Sequence, residues 1–407
     1  MTALRMRARD FLSEDELIAV RERITWKGVA MIAHAWALIV AAVALVAWWP
    51  NPLTYLVAVG IIGSRQLGLA ILMHDGAHGC LSADEKTNFF LSQWFCAYPV
   101  FSETRAYRRY HLQHHARTQQ DDDPDLVLSA PFPITKLSYR RKLWRDISGQ
   151  TGYQQRKAQL LNALGPSDWP LSRRLAQFRE KLGPQCAVNA VMFAACAAAG
   201  VWWAYPLLWL VPLLTWMMVI TRIRNIAEHA VVPDSKDPLR NTRTTMANAL
   251  ERLFVAPYRV NYHLEHHLFL FVPCWRLPEA HRRMLEKGLG SRMELRRGGM
   301  LPRQGRARLP ALGGDHGARQ SLAALRAAAA LPGGHPRPVV LRRRPGAGQR
   351  HYFGAARGCA GAAERRPRAG GLPRGGARAG GQEGPAALAD LPLPRAHADG
   401  RGGPGRP

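Results

Sequence analysis

The chain has 407 residues, a formal net charge of +27 and a mean hydropathy of -0.19. That length suits two or more soluble domains, or one membrane domain with additions. The six cysteines show no C-x-x-C pair and no even framework, and read as free thiols on the reducing side or inside a membrane.

Residues 1–25 read as a cytosolic lead-in, charged throughout, with no apolar core of a cleavable signal peptide. Ser13 and Glu16 have capping-box spacing before Leu17, Ile18 and Val20. Apolar runs follow at about 26–49 and 53–73, each near the ~20 residues that span a bilayer core. Their connector, Trp48-Trp49-Pro50-Asn51-Pro52, is short and uncharged, and Trp suits the interface. A transmembrane hairpin is expected. Arg65 is costly in lipid, so it should face the protein interior or sit near the cytosolic end. Residues 89–100 are apolar but too short to span, which suits a re-entrant or interfacial helix.

Residues 126–184 are polar, with Arg140-Arg141-Lys142, Arg156-Lys157 and Arg173-Arg174 set among Leu, Trp144 and Trp169. Alternating basic and aromatic residues beside a membrane domain suit a segment lying on anionic headgroups. A second apolar pair, at about 185–205 and 207–223, turns near Pro206. Lys and Arg crowd the N-terminus, residues 105–181 and everything after 222, while both hairpin tips have none. The positive-inside rule then puts both termini on the cytosolic side. The expected fold is all-α integral membrane: four transmembrane helices in two hairpins, a cytosolic helical cap, and a disordered tail. The domains are a lead-in at 1–25, a membrane domain at 26–290 and a tail at 291–407.

Histidine carries the chemistry. Read as a helix, His263-Leu264-Glu265-His266-His267 places His263 one turn from both His266 and His267, on a shared face. His111-Leu112-Gln113-His114-His115 repeats that spacing, His74 and His78 form an i, i+4 pair, and His229 ends the segment Asn225-Ile226-Ala227-Glu228-His229. Nine of the fifteen histidines thus fall in four short clusters. One such cluster is as easily a set of buried core residues, but the repetition argues for metal ligands. Nine imidazoles exceed the needs of one ion, so two ions with open positions fit better. Asn225, one turn before His229, is placed to hold a metal-bound water or to hydrogen-bond a ligand. Asp75, Glu228, Glu265, Asp121, Asp122, Asp123 and Asp125 are candidate acceptors for the outer ring nitrogens. By topology all four clusters lie at the cytosolic membrane surface. A redox metal there suits O2 activation against a C–H bond of an apolar substrate, which favours iron. G-x-S-x-G, H-E-x-x-H and P-loop motifs do not occur.

With HDGAH, HLQHH and HLEHH in that order, and with two apolar hairpins, residues 26–290 resemble the membrane fatty acid desaturase family. Asn225 and His229 are similar to that family's additional ligand element. Thr118 and Asp123-Pro124-Asp125 after the second motif, and Pro273 and His281 after the third, also follow its pattern; Leu270 departs from a frequent Pro. The resemblance implies a non-haem di-iron centre on His74, His78, His111, His114, His115, His229, His263, His266 and His267. It implies O2 as co-substrate and removal of two hydrogens from an acyl chain carried as lipid, acyl-CoA or acyl carrier protein. No cytochrome b5-like haem motif is fused, so electrons would come from a separate protein of ferredoxin, rubredoxin or cytochrome b5 type, meeting a basic face. The expected location is a bacterial inner membrane, with the site facing the cytosol. Rival readings are a di-iron hydroxylase or ketolase of an alkane, fatty acid or carotenoid, and a non-catalytic metal-binding membrane protein.

Residues 291–407 hold 22 Arg against six acidic residues, a net of +16, and contain no Lys, Ile, Asn, Thr or Trp. Such a composition buries no core and reads as disordered, or as a frameshift product of GC-rich DNA beginning near residue 295. Nucleic-acid binding is not expected, because aromatics are nearly absent among the arginines.

Overall fold

The computed structural model describes residues 6–300. The lead-in helix α1 (Glu14–Val20) has the expected capping box: Ser13 Oγ accepts from Glu16 N at 3.3 Å, and Glu16 Oε2 accepts from Ser13 N at 2.7 Å.

Helices α2 (Thr25–Trp48) and α3 (Pro52–Ala77) form the first hairpin. Asn51 Oδ1 accepts from the N–H groups of Leu53 and Thr54, and Pro52 occupies the first helical position, where its missing N–H costs nothing. Helix α3 is central: 72% of its most apolar window is buried, against 28% for α2. Arg65 does face the interior, donating to Leu253 O at 2.7 Å and Ser64 Oγ at 3.0 Å. Helix α3 continues past the expected end at 73 until Gly79, with φ +73, turns the chain. His74 therefore sits in its last turn and His78 at its C-cap.

Residues 85–100 form α4 (Glu85–Leu91), a π-helical stretch and a 3-10 turn packed on α3. Helix α5 (Thr104–Arg117) is capped by the Glu103 carboxylate, which accepts from Arg105 N and Ala106 N. The polar segment comprises α6 (Lys136–Ile147), α7 (Gln150–Leu164) and α8 (Leu171–Lys181). Helix α8 buries no residue and exposes Leu171 and Leu175.

Among the described residues, three helices are long and apolar enough to cross a membrane: α2, α3 and Tyr205–His229. The run expected at 185–205 instead gives α9 (Gly183–Ala198), 16 residues or about 24 Å at the usual rise. Gly200, at φ +74, follows its end. The run expected at 207–223 extends to His229. Its first part, holding Pro206 and Pro212, is irregular, and α10 (Trp216–His229) is regular.

Beyond α10, Thr244–Thr245 (β1) pairs in parallel with Leu295–Arg296 (β2). Between them lie α11 (His263–Leu268) and α12 (Leu277–Glu286). The disorder expected from residue 291 does not hold for 291–300. Met293 and Met300 are buried, and Glu294 N donates to Leu239 O at 2.9 Å. Met293, Leu295 and Met300 still supply apolar side chains there, so the fold extends beyond the change in composition. The rest of the tail, with the readings made for it, lies outside the described residues.

Candidate metal centre

Four segments of chain meet at the C-terminal ends of α3 and α10. The nine histidines form two groups: His74, His78, His111, His115 and His266; and His114, His229, His263 and His267. Within each group one ligand atom per residue lies within 4.8 Å of every other. The two H-x-x-H-H motifs do not each serve one group. At 100° per residue, i and i+4 nearly superpose, while i+3 points off to the side. His111 and His115 thus enter the first group, with Nε2 atoms 2.8 Å apart, and His114 enters the second. His263 and His267 enter the second, 3.1 Å apart, and His266 enters the first, its Nε2 2.9 Å from that of His115. Each motif therefore ties the two groups together, correcting the expectation of one shared face per motif.

The donor set fits a metal. An imidazole–metal bond is ~2.0–2.1 Å, so two nitrogens on one ion lie up to about 4 Å apart. The His263 and His229 Nε2 atoms, 2.7 Å apart, are at a separation suited to neighbouring ligands. Both ring nitrogens of buried His78 lack any hydrogen-bond partner, which is costly unless a ligand takes one. Burial is the main cause that pushes His78, His111, His115, His263, His266 and His267 well below the ordinary imidazole pKa, and neighbouring imidazoles add to it. Neutral rings are the coordinating form. His114 differs: burial pulls it down, but the Asp123 hydrogen bond and the Asp125 charge outweigh that and raise it.

Outer partners orient several rings. His114 Nδ1 lies 2.8 Å from Asp123 Oδ1. Thr118 Oγ1 donates to His114 O at 2.8 Å and lies 3.1 Å from His267 Nδ1, so it accepts from that ring. His111 Nδ1 lies 3.4 Å from the Tyr107 hydroxyl, and His263 Nδ1 is 3.7 Å from Glu228, which Arg224 Nε grips at 2.8 Å. With Nδ1 facing outward, Nε2 points into the site. The remaining acids divide. Asp75 lies 3.4 Å from His74 Nδ1 and accepts from Cys274 N at 2.8 Å. Glu265 holds His281 Nδ1 at 2.6 Å and accepts from Thr244 Oγ1, so it clamps α11 to α12 and β1. Asp121 and Asp122 face solvent, and Asp122 pairs with Arg117 instead. Asn225 is half-buried, one turn before His229 on α10.

Sequence reasoning missed Tyr107, Thr244 and the Cys274 N–H. Tyr107 stands four residues before His111, a readable helical spacing; the other two have no local signal. An apolar pocket opens beside the groups, lined by Leu67, Ala70 and Ile71 of α3 and reaching His74, His263 and His266.

The family model for fatty acid desaturases matches residues 47–297. The dihydrorhizobitoxine desaturase of Bradyrhizobium elkanii is 31% identical over 273 residues, which cover 64% of this chain and 76% of that protein. Matched motifs, clustered imidazoles and apolar helices agree: the chain belongs to the fatty acid desaturase family, as a desaturase-type oxidoreductase with membrane-spanning helices and a histidine site able to bind metal.

Proposed function

We propose that the chain removes two hydrogens from adjacent carbons of a fatty acyl chain, using O2, at an iron pair held by the two histidine groups. One observation carries this reading: the apolar pocket opens onto His74 and His266 of one group and His263 of the other. When bound, the irons would supply O2 activation against an unactivated C–H bond. The chain's own residues do the positioning. The nine imidazoles would hold the ions, six of them kept neutral by burial, and Asn225 would hold a water beside them. Leu67, Ala70 and Ile71 keep water from the methylenes, and Asp123, Thr118 and Tyr107 hold the rings in register. Electrons would come from a separate ferredoxin, rubredoxin or cytochrome b5-type protein.

Four membrane crossings, with the histidines on the cytosolic side, belong to the same proposal. Helices α3 and α10 both deliver histidines from their C-terminal ends to one site. Two such parallel helices require the chain to cross back once between them. The apolar helix α9 is the segment available, and its shortness would be met by local thinning of the bilayer.

The test is the purified protein in lipid, supplied with reductant, O2 and saturated acyl groups as lipid, acyl-CoA or acyl carrier protein. About two irons per chain, substrate-dependent O2 uptake and a new double bond by mass spectrometry are expected. An alcohol or ketone product would assign a hydroxylase or ketolase instead. Iron without O2 uptake on any apolar substrate would leave a non-catalytic metal protein.

A further inference from the structure

Leu67, Ala70, Ile71 and His74 stand at i, i+3, i+4 and i+7 of α3, one stripe of a helix, and all four line the pocket. The pocket therefore runs along α3 from the histidines toward Leu67, a rise of about 10 Å over those residues. At the Leu67 end stands Tyr258, which lines the pocket as well. Its ring lies flush on α3: a Cβ at Gly68 would come within 2.6 Å of Tyr258 Cε2, so a larger residue there would displace the ring. The Arg65 guanidinium lies 5.6 Å from the ring centroid. The hydroxyl donates to Met31 O at 3.1 Å and lies 3.1 Å from His34 Nδ1, so the ring bridges α3 to α2. His34 is on the exposed side of α2. Tyr258 thus reaches from the pocket lining to the exposed side of α2. Its backbone, at φ 51 and ψ 40, is left-handed. A bulky residue persists in that region only where its surroundings over-determine it. The contacts to Gly68, Arg65, Met31 and His34 are those surroundings.

Resting on the acyl-chain reading, we propose that Tyr258 is the end wall of the substrate pocket and sets the length of chain accepted beyond the histidine groups. Tyr258→Gly keeps the left-handed backbone and removes the wall. Tyr258→Phe keeps the wall and removes the hydroxyl's two contacts.

The experiment gives the full-length protein in membranes a mixed pool of saturated acyl chains of graded length and measures each unsaturated product, together with bound iron. The wild type should show a sharp upper length limit. Tyr258→Gly should move that limit to longer chains, raising turnover of chains just past it by about tenfold or more, as expected for methylene discrimination in an apolar pocket. Tyr258→Phe should leave the limit in place. An unchanged length profile in Tyr258→Gly with iron retained overturns the proposal, as does an equal shift in Tyr258→Phe. Should Tyr258→Gly lose iron, Leu67→Phe narrows the same end and should shorten the limit; no shift there also overturns it. A wild type that converts no chain in the pool would overturn the acyl-chain reading itself, an outcome distinct from an unchanged profile.

Discussion

At the scale of single residues, the site separates groups that look alike in sequence. Asp121, Asp122 and Asp123 are consecutive acids, yet Asp123 is buried on His114 while the other two face solvent. Asp123→Asn should lower activity or iron affinity about 10–100-fold, the usual effect of losing an outer partner of a ligating histidine. Asp121→Asn should leave both unchanged. Iron analysis and product formation on the same preparations check the pair, and equal effects would remove Asp123 from its assigned role. Ligand changes should be harsher. His115→Ala and His263→Ala, one from each group, should each abolish turnover and lower bound iron. Full activity in either would exclude that residue from the site. Histidine type and spacing made the nine candidates readable, because i, i+3 and i+4 are neighbours on any helix. Their division into five and four was not readable, since it depends on which neighbouring element each ring meets.

At the scale of elements, α6 and α7 are tied to α10 by one buried network. Asp146, fully buried, accepts from Arg222 and from Thr151 Oγ1 at 2.6 Å, and Arg222 Nη2 is 2.9 Å from Asp146 Oδ1. Arg222→Ala should cost about 3–5 kcal/mol, because it strands a buried carboxylate. Arg222→Met combined with Asp146→Leu should recover much of that loss. Thermal unfolding in detergent checks both, and a cost below about 1 kcal/mol for Arg222→Ala would show the pair to be solvated like a surface bridge. Crossing direction belongs to this scale too. A cysteine at exposed Pro50, on the first hairpin tip, should react with an impermeant thiol reagent from outside the cell, and one at exposed Arg140 should not. Reversed labelling would overturn the proposed orientation. The first hairpin was readable because its runs are long and its connector is short and uncharged. Helix α9 was misjudged in length because apolar Ala-rich sequence continues past the Gly200 turn that follows its end.

At the scale of the whole molecule, the C-terminal boundary is decided by contact rather than composition. Residues 291–300 have begun the compositional change, yet β2 pairs with β1 and Met300 N donates to Glu251 Oε1 at 2.9 Å. A chain ending after Met300 should keep its melting temperature and iron. One ending after Gly290 should melt several degrees lower, having lost β2 and two buried methionines. Loss of activity on removing only 301–407 would give that segment a role that its composition does not suggest.

The sequence by itself determined the helical membrane character, the first hairpin and the nine candidate ligands. These follow from hydropathy, capping and helical spacing, all local properties of the chain. Only the tertiary structure decided how the two H-x-x-H-H motifs share their rings between groups, which acid serves which histidine, that Glu265 braces His281, and that Tyr258 crosses from α2 to α3. Those outcomes join residues far apart in the chain, and which distant surfaces meet is set by packing around α3 as a whole. No local spacing carries that information.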